Sequence, residues 1–391
     1  MPFDFDRPID RRQTNCSKWD DMESLFGVSP ETGLGMWVAD MDFAAPPAVN
    51  ETLHNLAAHG VHGYFGNYDA YHGAIQHWMR HRHSWTVEEP WILTTHGIVH
   101  AIGAALQAYT EPGDGVIIFT PVYHVFHTMI DANDRRKVES PLKEVTGRYE
   151  MDLDALAGAL TGDERLVILC SPHNPGGRVW TVRELRALAD FCRDHDLILI
   201  SDEIHHDLVY PGHTHTVMAN AAPDILDRLV TLSAPSKTFN IAGAKNGQAI
   251  IPDRALRARM ARVLKAAGTG TNRLGAMMTT AAYAHGEDWL KDLLAYLDTN
   301  RRIFDERINA LPGVGSMELE ATYLAWVDFS GTGMPPDEIL RRVEGTGRIA
   351  TNHGPSFGTG GENRLRFNIG TQMATIRDAL ERIEHAFSDL Q

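Results

Sequence analysis

Apolar residues fall along the chain in two rhythms. Short continuous runs at Trp91-Ile92-Leu93, Val116-Ile117-Ile118-Phe119, Leu166-Val167-Ile168-Leu169-Cys170, Leu197-Ile198-Leu199-Ile200 and Leu229-Val230-Thr231-Leu232 have the length and composition of strands buried on both faces, as in parallel sheets. Between them the apolar positions recur at helical spacing. Ile98, Ala101, Ile102, Ala105 and Leu106 follow the turn Thr94-Thr95-His96-Gly97, and Val182, Leu185, Leu188, Phe191 and Cys192 follow a capping box of Thr181 and Glu184. Strands alternating with helices, with polar residues at the strand ends, predict a doubly wound α/β architecture. After a helical region near 275–305, Tyr323 to Phe329 and Arg364 to Ile369 read as strands. Met373, Ile376, Leu380, Ile383 and Phe387 share one face of a terminal helix, so a second, smaller domain is expected there. The glycine-rich stretch from Gly354 to Gly361 reads as a mobile loop.

Composition narrows the class of protein. The 391 residues suffice for two core-forming domains, and 43% hydrophobic with 22% charged residues is ordinary for a soluble globular chain. A net charge of −15 disfavours nucleic acid or an anionic membrane as partner. The N-terminus has no basic region followed by an apolar one, and no run of ~18 apolar residues occurs, so neither a signal peptide nor a membrane span is expected. Cys16, Cys170 and Cys192 are scattered and odd in number, which fits a reducing, cytoplasmic setting. Among 20 histidines, His81/His83 and His213/His215 have His-x-His spacing, but no recognisable ligand set completes either pair. No metal site is expected.

Two stretches carry candidate chemistry. The run from Leu229 stops at Ser233-Ala234-Pro235-Ser236-Lys237-Thr238, which delivers one lysine into a loop among hydroxyls. A lysine amine attacks an aldehyde only when partly neutral, which needs burial or cationic neighbours. Ser233, Ser236 and Thr238 would suit the phosphate of a phosphorylated aldehyde. The run from Leu197 ends at Ser201-Asp202-Glu203-Ile204-His205, which places Asp202 at the carboxyl edge where open α/β sheets bind ligands. A carboxylate there could pair with a protonated pyridine nitrogen. The helix beginning near Ile98 offers the amides of Ile98 and Val99, behind Gly97, to an anion. Tyr123, past another strand end, could stack on a ring, and the Asn174 amide in Ser171-Pro172-His173-Asn174-Pro175 could donate to a phenolate oxygen.

These motifs, in this order, resemble the pyridoxal-phosphate enzymes of the aspartate aminotransferase superfamily (fold type I), and within it the cystathionine β-lyase, or C–S lyase, subgroup of MalY/PatB type. The resemblance implies pyridoxal 5'-phosphate as cofactor, a large domain (46–285) with a mostly parallel seven-stranded sheet, a smaller α+β domain (286–391), and an N-terminal arm (1–45) that belongs in part to the small domain. It implies that Lys237 holds the cofactor, Asp202 pairs with its ring nitrogen, Tyr123 stacks on the ring and Asn174 reaches both cofactor and substrate. Arg366 would clamp the substrate carboxylate, near the backbone at Ala39. Tyr64 would cross to a neighbouring subunit's cofactor phosphate, making the active unit a homodimer with sites at the interface. The polar stretch from Arg11 to Asp20 looks like the subgroup's N-terminal arm, and Trp19 argues that it docks.

Departures also show. Lys245 stands where the superfamily's aminotransferases have a phosphate-binding arginine, Gly66-Asn67-Tyr68 where a Tyr-Pro-Pro run is frequent, and Thr371-Gln372 where the subgroup has Pro-Arg. His205 stands three residues after Asp202, where aminotransferases typically have tyrosine and the lyase subgroup has histidine. The expectation is therefore a β-lyase cleaving cystathionine or a related S-substituted L-cysteine to a thiol, pyruvate and ammonia, with class I/II transamination as the alternative.

Overall fold

A computed structural model describes residues 3–390. Seven strands, β1 (Ile92–Thr95), β2 (Gly115–Thr120), β3 (Arg136–Pro141), β4 (Glu164–Cys170), β5 (Ile198–Asp202), β6 (Leu229–Ser233) and β7 (Gly247–Ile250), form one sheet in the order β1-β7-β6-β5-β4-β2-β3. Only β7 runs antiparallel to its neighbours β1 and β6, so the sheet is mostly parallel, as expected. The continuous apolar runs are explained by the packing. Ile117, Val167, Leu199 and Leu229 enter one apolar cluster, while Val116, Ile118, Leu166, Ile168, Ile200, Val230 and Leu232 enter another on the opposite face. Strand alternation sends successive side chains to opposite faces, so a sheet covered on both must be apolar at every position.

Helices cover the two faces. α1 (Ile98–Tyr109) adds Ala101, Ile102, Ala105 and Leu106 to the second cluster, and α2 (Val182–Asp194) adds Leu185, Leu188, Phe191 and Cys192 to the first. The capping box at the start of α2 is present, with Thr181 and Glu184 bonding each other's backbone N–H. One predicted boundary moves: Trp91 closes a short 3-10 turn, and the strand instead runs on through Thr94 and Thr95, which pair with Gln248 and Gly247.

Beyond α3 (Glu287–Asn309), the strands β8 (Gly315–Ser316), β9 (Leu324–Asp328), β10 (Asn352–His353) and β11 (Arg364–Asn368) make an antiparallel sheet in the order β8-β9-β11-β10. The terminal helix α4 (Met373–Ala386) buries Ile376, Leu380 and Ile383. The stretch 354–361 is docked rather than loose. Phe357 is fully buried, its carbonyl accepts the Val122 N–H at 2.8 Å, and a Cβ on Gly354 would lie 1.9 Å from the Gly361 carbonyl oxygen. Its glycines allow two backbone segments to touch, a role that composition alone does not separate from flexibility.

The arm docks too. Lys18 is wholly buried against Asp42 (2.7 Å), Arg11 bonds both Asp40 and Asp42 at 2.7 Å, and Trp19 Nε1 donates to Asp42. Although burial alone would push the Asp42 acid up, the two cations hold it below the usual carboxylate range. No helix among the described residues is long and apolar enough to cross a membrane.

Candidate active site

The carboxyl ends of β4, β5 and β6 and the amino end of α1 surround one cavity, and most of the residues singled out from the sequence line it. Lys237 sits in the helical turn Pro235–Thr238 just past β6, and its Nζ donates to the Ala39 carbonyl at 2.7 Å. Tyr323, just before β9, donates to the same carbonyl at 2.9 Å, so the segment carrying Ala39 is pinned from the sides of both sheets. Burial, joined by the positive charges of Arg366 and Lys245, outweighs Asp40 and Asp202 and brings the lysine down to about 8. Only the neutral amine can attack an aldehyde, and its fraction rises as pH climbs through that value. The rate at which cofactor-free protein takes up pyridoxal phosphate should therefore increase up to about pH 8 and level off above it. An ordinary lysine would keep gaining until about pH 10.4. Stopped-flow absorbance across this range checks the sign and the midpoint.

Asp202, 3% exposed at the end of β5, accepts the Ile204 N–H at 3.2 Å, and burial pushes its acid up to about 7. So sparsely solvated a carboxylate is stabilised as an anion only by a cation placed against it. His205 lines the same wall with its Nδ1 buried and unpartnered, and burial with nearby Lys237 keeps it neutral. Tyr123 also lines the cavity, and burial raises its phenol to about 12. Asn174 spends its Oδ1 on Arg366 Nη1 at 3.0 Å, which leaves its NH2 to donate.

At the other end, Gly97 (φ 87°) turns the chain into α1, so that the first N–H groups of the helix, at Ile98 and Val99, point out of the helix end. Ser236 and Lys245 complete this wall. Ser233 and Thr238 do not join it. Alternation along β6 puts Ser233 on the face of Thr231, where its hydroxyl is buried without a partner, and Thr238 donates to Asp207 at 2.8 Å. The expected phosphate role of Ser233 has no geometric support here.

Arg366, 2% exposed, stands behind Asn174 rather than on the cavity wall. Its guanidinium donates to Asn174, to the Trp37 carbonyl at 2.8 Å and to Asn352, and lies over Phe357 at 5.2 Å. These bonds use three of the five donors, and Nε is one of those left over. Its strand neighbours on the same face diverge. Asn368 bonds the carbonyls of Val38 and Asp40, while Arg364 turns to Tyr149, Glu144 and Asp328. Tyr64 is wholly exposed and reaches nothing in its own cavity. Sequence reasoning missed Tyr323, Asn352 and Phe357, whose roles arise only from packing between the two sheets. It also missed His96 and Cys170 on the cavity wall, although both adjoin motifs it did single out.

The walls match one molecule end to end: a buried carboxylate for a ring nitrogen, an amide donor, a lysine amine, and a helix N-terminus with a lysine for a phosphate. Comparison with known proteins agrees. Residues 32–383 match the family model for aminotransferase class I and II. Cystathionine β-lyase PatB of Bacillus subtilis is 40% identical, over 99% of this chain and 100% of its own. The pyridoxal-phosphate-containing structure of cystalysin from Treponema denticola superposes with a TM-score of 0.95 at 35% identity, covering all of both chains. A pyridoxal-phosphate-bound C–S lyase from Staphylococcus hominis does so with 0.91 at 31%, covering 98% of each. The chain belongs to the aminotransferase class I and II family of fold type I pyridoxal-phosphate enzymes, in its carbon–sulfur lyase branch. It is a pyridoxal-phosphate-dependent enzyme, and Lys237, Asp202, Asn174, Tyr123, Ser236, Lys245, Ile98 and Val99 all line the one cavity.

Proposed function

We propose that this enzyme eliminates a thiol from the β-carbon of cystathionine or a related S-substituted L-cysteine. The observation that carries the reading is the likeness to a cystathionine β-lyase, 40% identical over 99% of this chain and 100% of the relative. The cavity supports it residue by residue. When bound, pyridoxal phosphate supplies an electron sink for the pair left on the α-carbon. Lys237 Nζ, half-buried and brought down to about 8, takes the α-proton. Asp202 holds the counter-charge that keeps the ring nitrogen protonated, and Asn174 fixes the ring and the substrate. Arg366, held behind Asn174, sets a positive charge at this end of the cavity that draws the α-carboxylate toward the side of Ala39. Loss of the sulfur then leaves 2-aminoacrylate, which hydrolyses to pyruvate and ammonia.

Purified protein given L-cystathionine and pyridoxal phosphate, without a keto acid, should release pyruvate continuously. Turnover that appears only after a keto acid is added would replace this reading with transamination.

We also place two chains in the active unit. Tyr64 is wholly exposed while its neighbours Phe65 and Tyr68 pack within the chain. Val61 and Leu274, joined near Tyr64 by the Arg273 bond to the Val61 carbonyl, are exposed as well. If Tyr64 serves the neighbour's cofactor, an equal mixture of Lys237→Ala and Tyr64→Ala variants, each impaired alone, should recover up to about a quarter of wild-type activity, because half the dimers then hold one intact site. Absence of recovery in a mixture shown to exchange subunits would remove the shared site. The three free thiols suit a cytoplasmic setting.

A further inference from the structure

Behind Asp202, away from the cofactor cavity, the fold gathers five titratable side chains from three segments: His83; Glu203, His206 and Asp207; and His215. Each His-x-His pair of the sequence splits. His81 is exposed beside Glu287 and His213 is partly exposed near Glu320, whereas His83 and His215 turn inward and meet His206. Among the described residues, one ligand atom each from Glu203, His206 and His215 lies within 4.8 Å of the other two, and so it is for His83, His206 and Asp207.

The two sets differ in what their oxygens have left to give. Asp207 is already used by Trp78 Nε1 at 3.1 Å, His83 Nε2 at 2.7 Å, Thr238 Oγ1 at 2.8 Å and Arg82 Nε at 3.1 Å. Glu203 takes its two other donors, Ser201 Oγ at 2.8 Å and the Met218 N–H at 2.9 Å, on Oε1 alone, so Oε2 faces only His215 Nε2 at 3.0 Å.

His206 is the group the fold leaves unexplained. It is 2% exposed, and neither ring nitrogen has a hydrogen-bond partner among the described residues; Nε2 stands 3.4 Å from Asp207 Oδ2 without the alignment of a bond. A buried imidazole with one unpartnered nitrogen and the other only loosely opposed to a carboxylate is costly unless something occupies the ring more fully.

We propose that Glu203 Oε2, His206 and His215 form a binding site for a divalent transition-metal ion of zinc type. Two imidazoles and one carboxylate are a ligand set zinc accepts, with a fourth position open to water. Zn–ligand bonds of about 2.0–2.2 Å bring ligand atoms to roughly 3.4 Å from one another, a contraction that side-chain rotation supplies. Binding displaces the proton that His215 shares with Glu203. His83, stacked on His206 at 4.1 Å and tied to Asp207, positions the ring. The ion would join the segment from the end of β5, which carries Asp202 and His205, to the segment at 215, making it a structural brace behind the cavity wall.

The test is metal content. Tag-free holoenzyme from zinc-supplemented medium, purified without chelators and dialysed, should carry one zinc per chain by plasma mass spectrometry. His206→Gln should lose that zinc while still binding pyridoxal phosphate. Zinc far below stoichiometry, or equal in wild type and variant, overturns the site. Should His206→Gln not fold, wild-type holoenzyme from cobalt medium decides: intense visible bands of four-coordinate cobalt support the site, and their absence overturns it.

Discussion

Lys237→Ala should lose at least ~10³–10⁴-fold in kcat/KM for pyruvate release, since in the proposed mechanism it removes both the cofactor's tether and the positioned base. The cofactor should also wash out on gel filtration, with loss of its visible absorbance. The fold should survive. The lysine's one hydrogen bond goes to the Ala39 carbonyl, which Tyr323 continues to hold. A variant that kept cofactor and rate would mean that the amine is not the attachment point. Added methylamine, small enough to enter the vacated space, should restore part of the rate if the lost function is proton transfer.

The second large effect is expected at Asp202. Asp202→Asn keeps the shape of the side chain and the Ile204 contact but removes the negative charge. Burial already pushes this acid up to about 7, so its ionised form depends on a cation brought against it. In the proposed site the ring nitrogen and the carboxylate would therefore stabilise each other's charged forms. Without the carboxylate the nitrogen should deprotonate and the α-proton should become harder to remove, with kcat falling roughly 10²–10⁴-fold and KM changing little. A fall carried mainly by KM would instead assign Asp202 to binding. The absorption spectrum of the bound cofactor, followed against pH in variant and wild type, reports the ring nitrogen independently of turnover.

The two variants probe different kinds of position. Asp202 ends one buried strand and Lys237 stands in the helical turn just past another, so a local run of apolar residues announces both and their order along the chain is enough to suggest a ring cofactor between them. Arg366 also lies on a strand legible from its alternation, but what it touches was not legible. Its guanidinium reaches Asn352 and the Trp37 carbonyl, 14 and 329 residues distant in sequence. Tyr323 and Phe357 were overlooked for the same reason: an aromatic near a strand end is ordinary core until the opposite sheet is in place. Ser233 shows the converse, a residue beside the right motif whose strand phase turns it away.

By itself the sequence determined the elements, the mostly parallel sheet and the lysine, aspartate, asparagine and helix N-terminus that line the cavity, because each is encoded within a few residues by hydrophobic period and by what interrupts it. Only the tertiary structure decided which hydroxyls line the cavity, how Arg366 is held, that the glycine-rich stretch is docked, and that His83, Glu203, His206 and His215 share one buried space. Those outcomes depend on distances between segments far apart in the chain, set by how both faces of the sheet pack, and no local pattern carries that information.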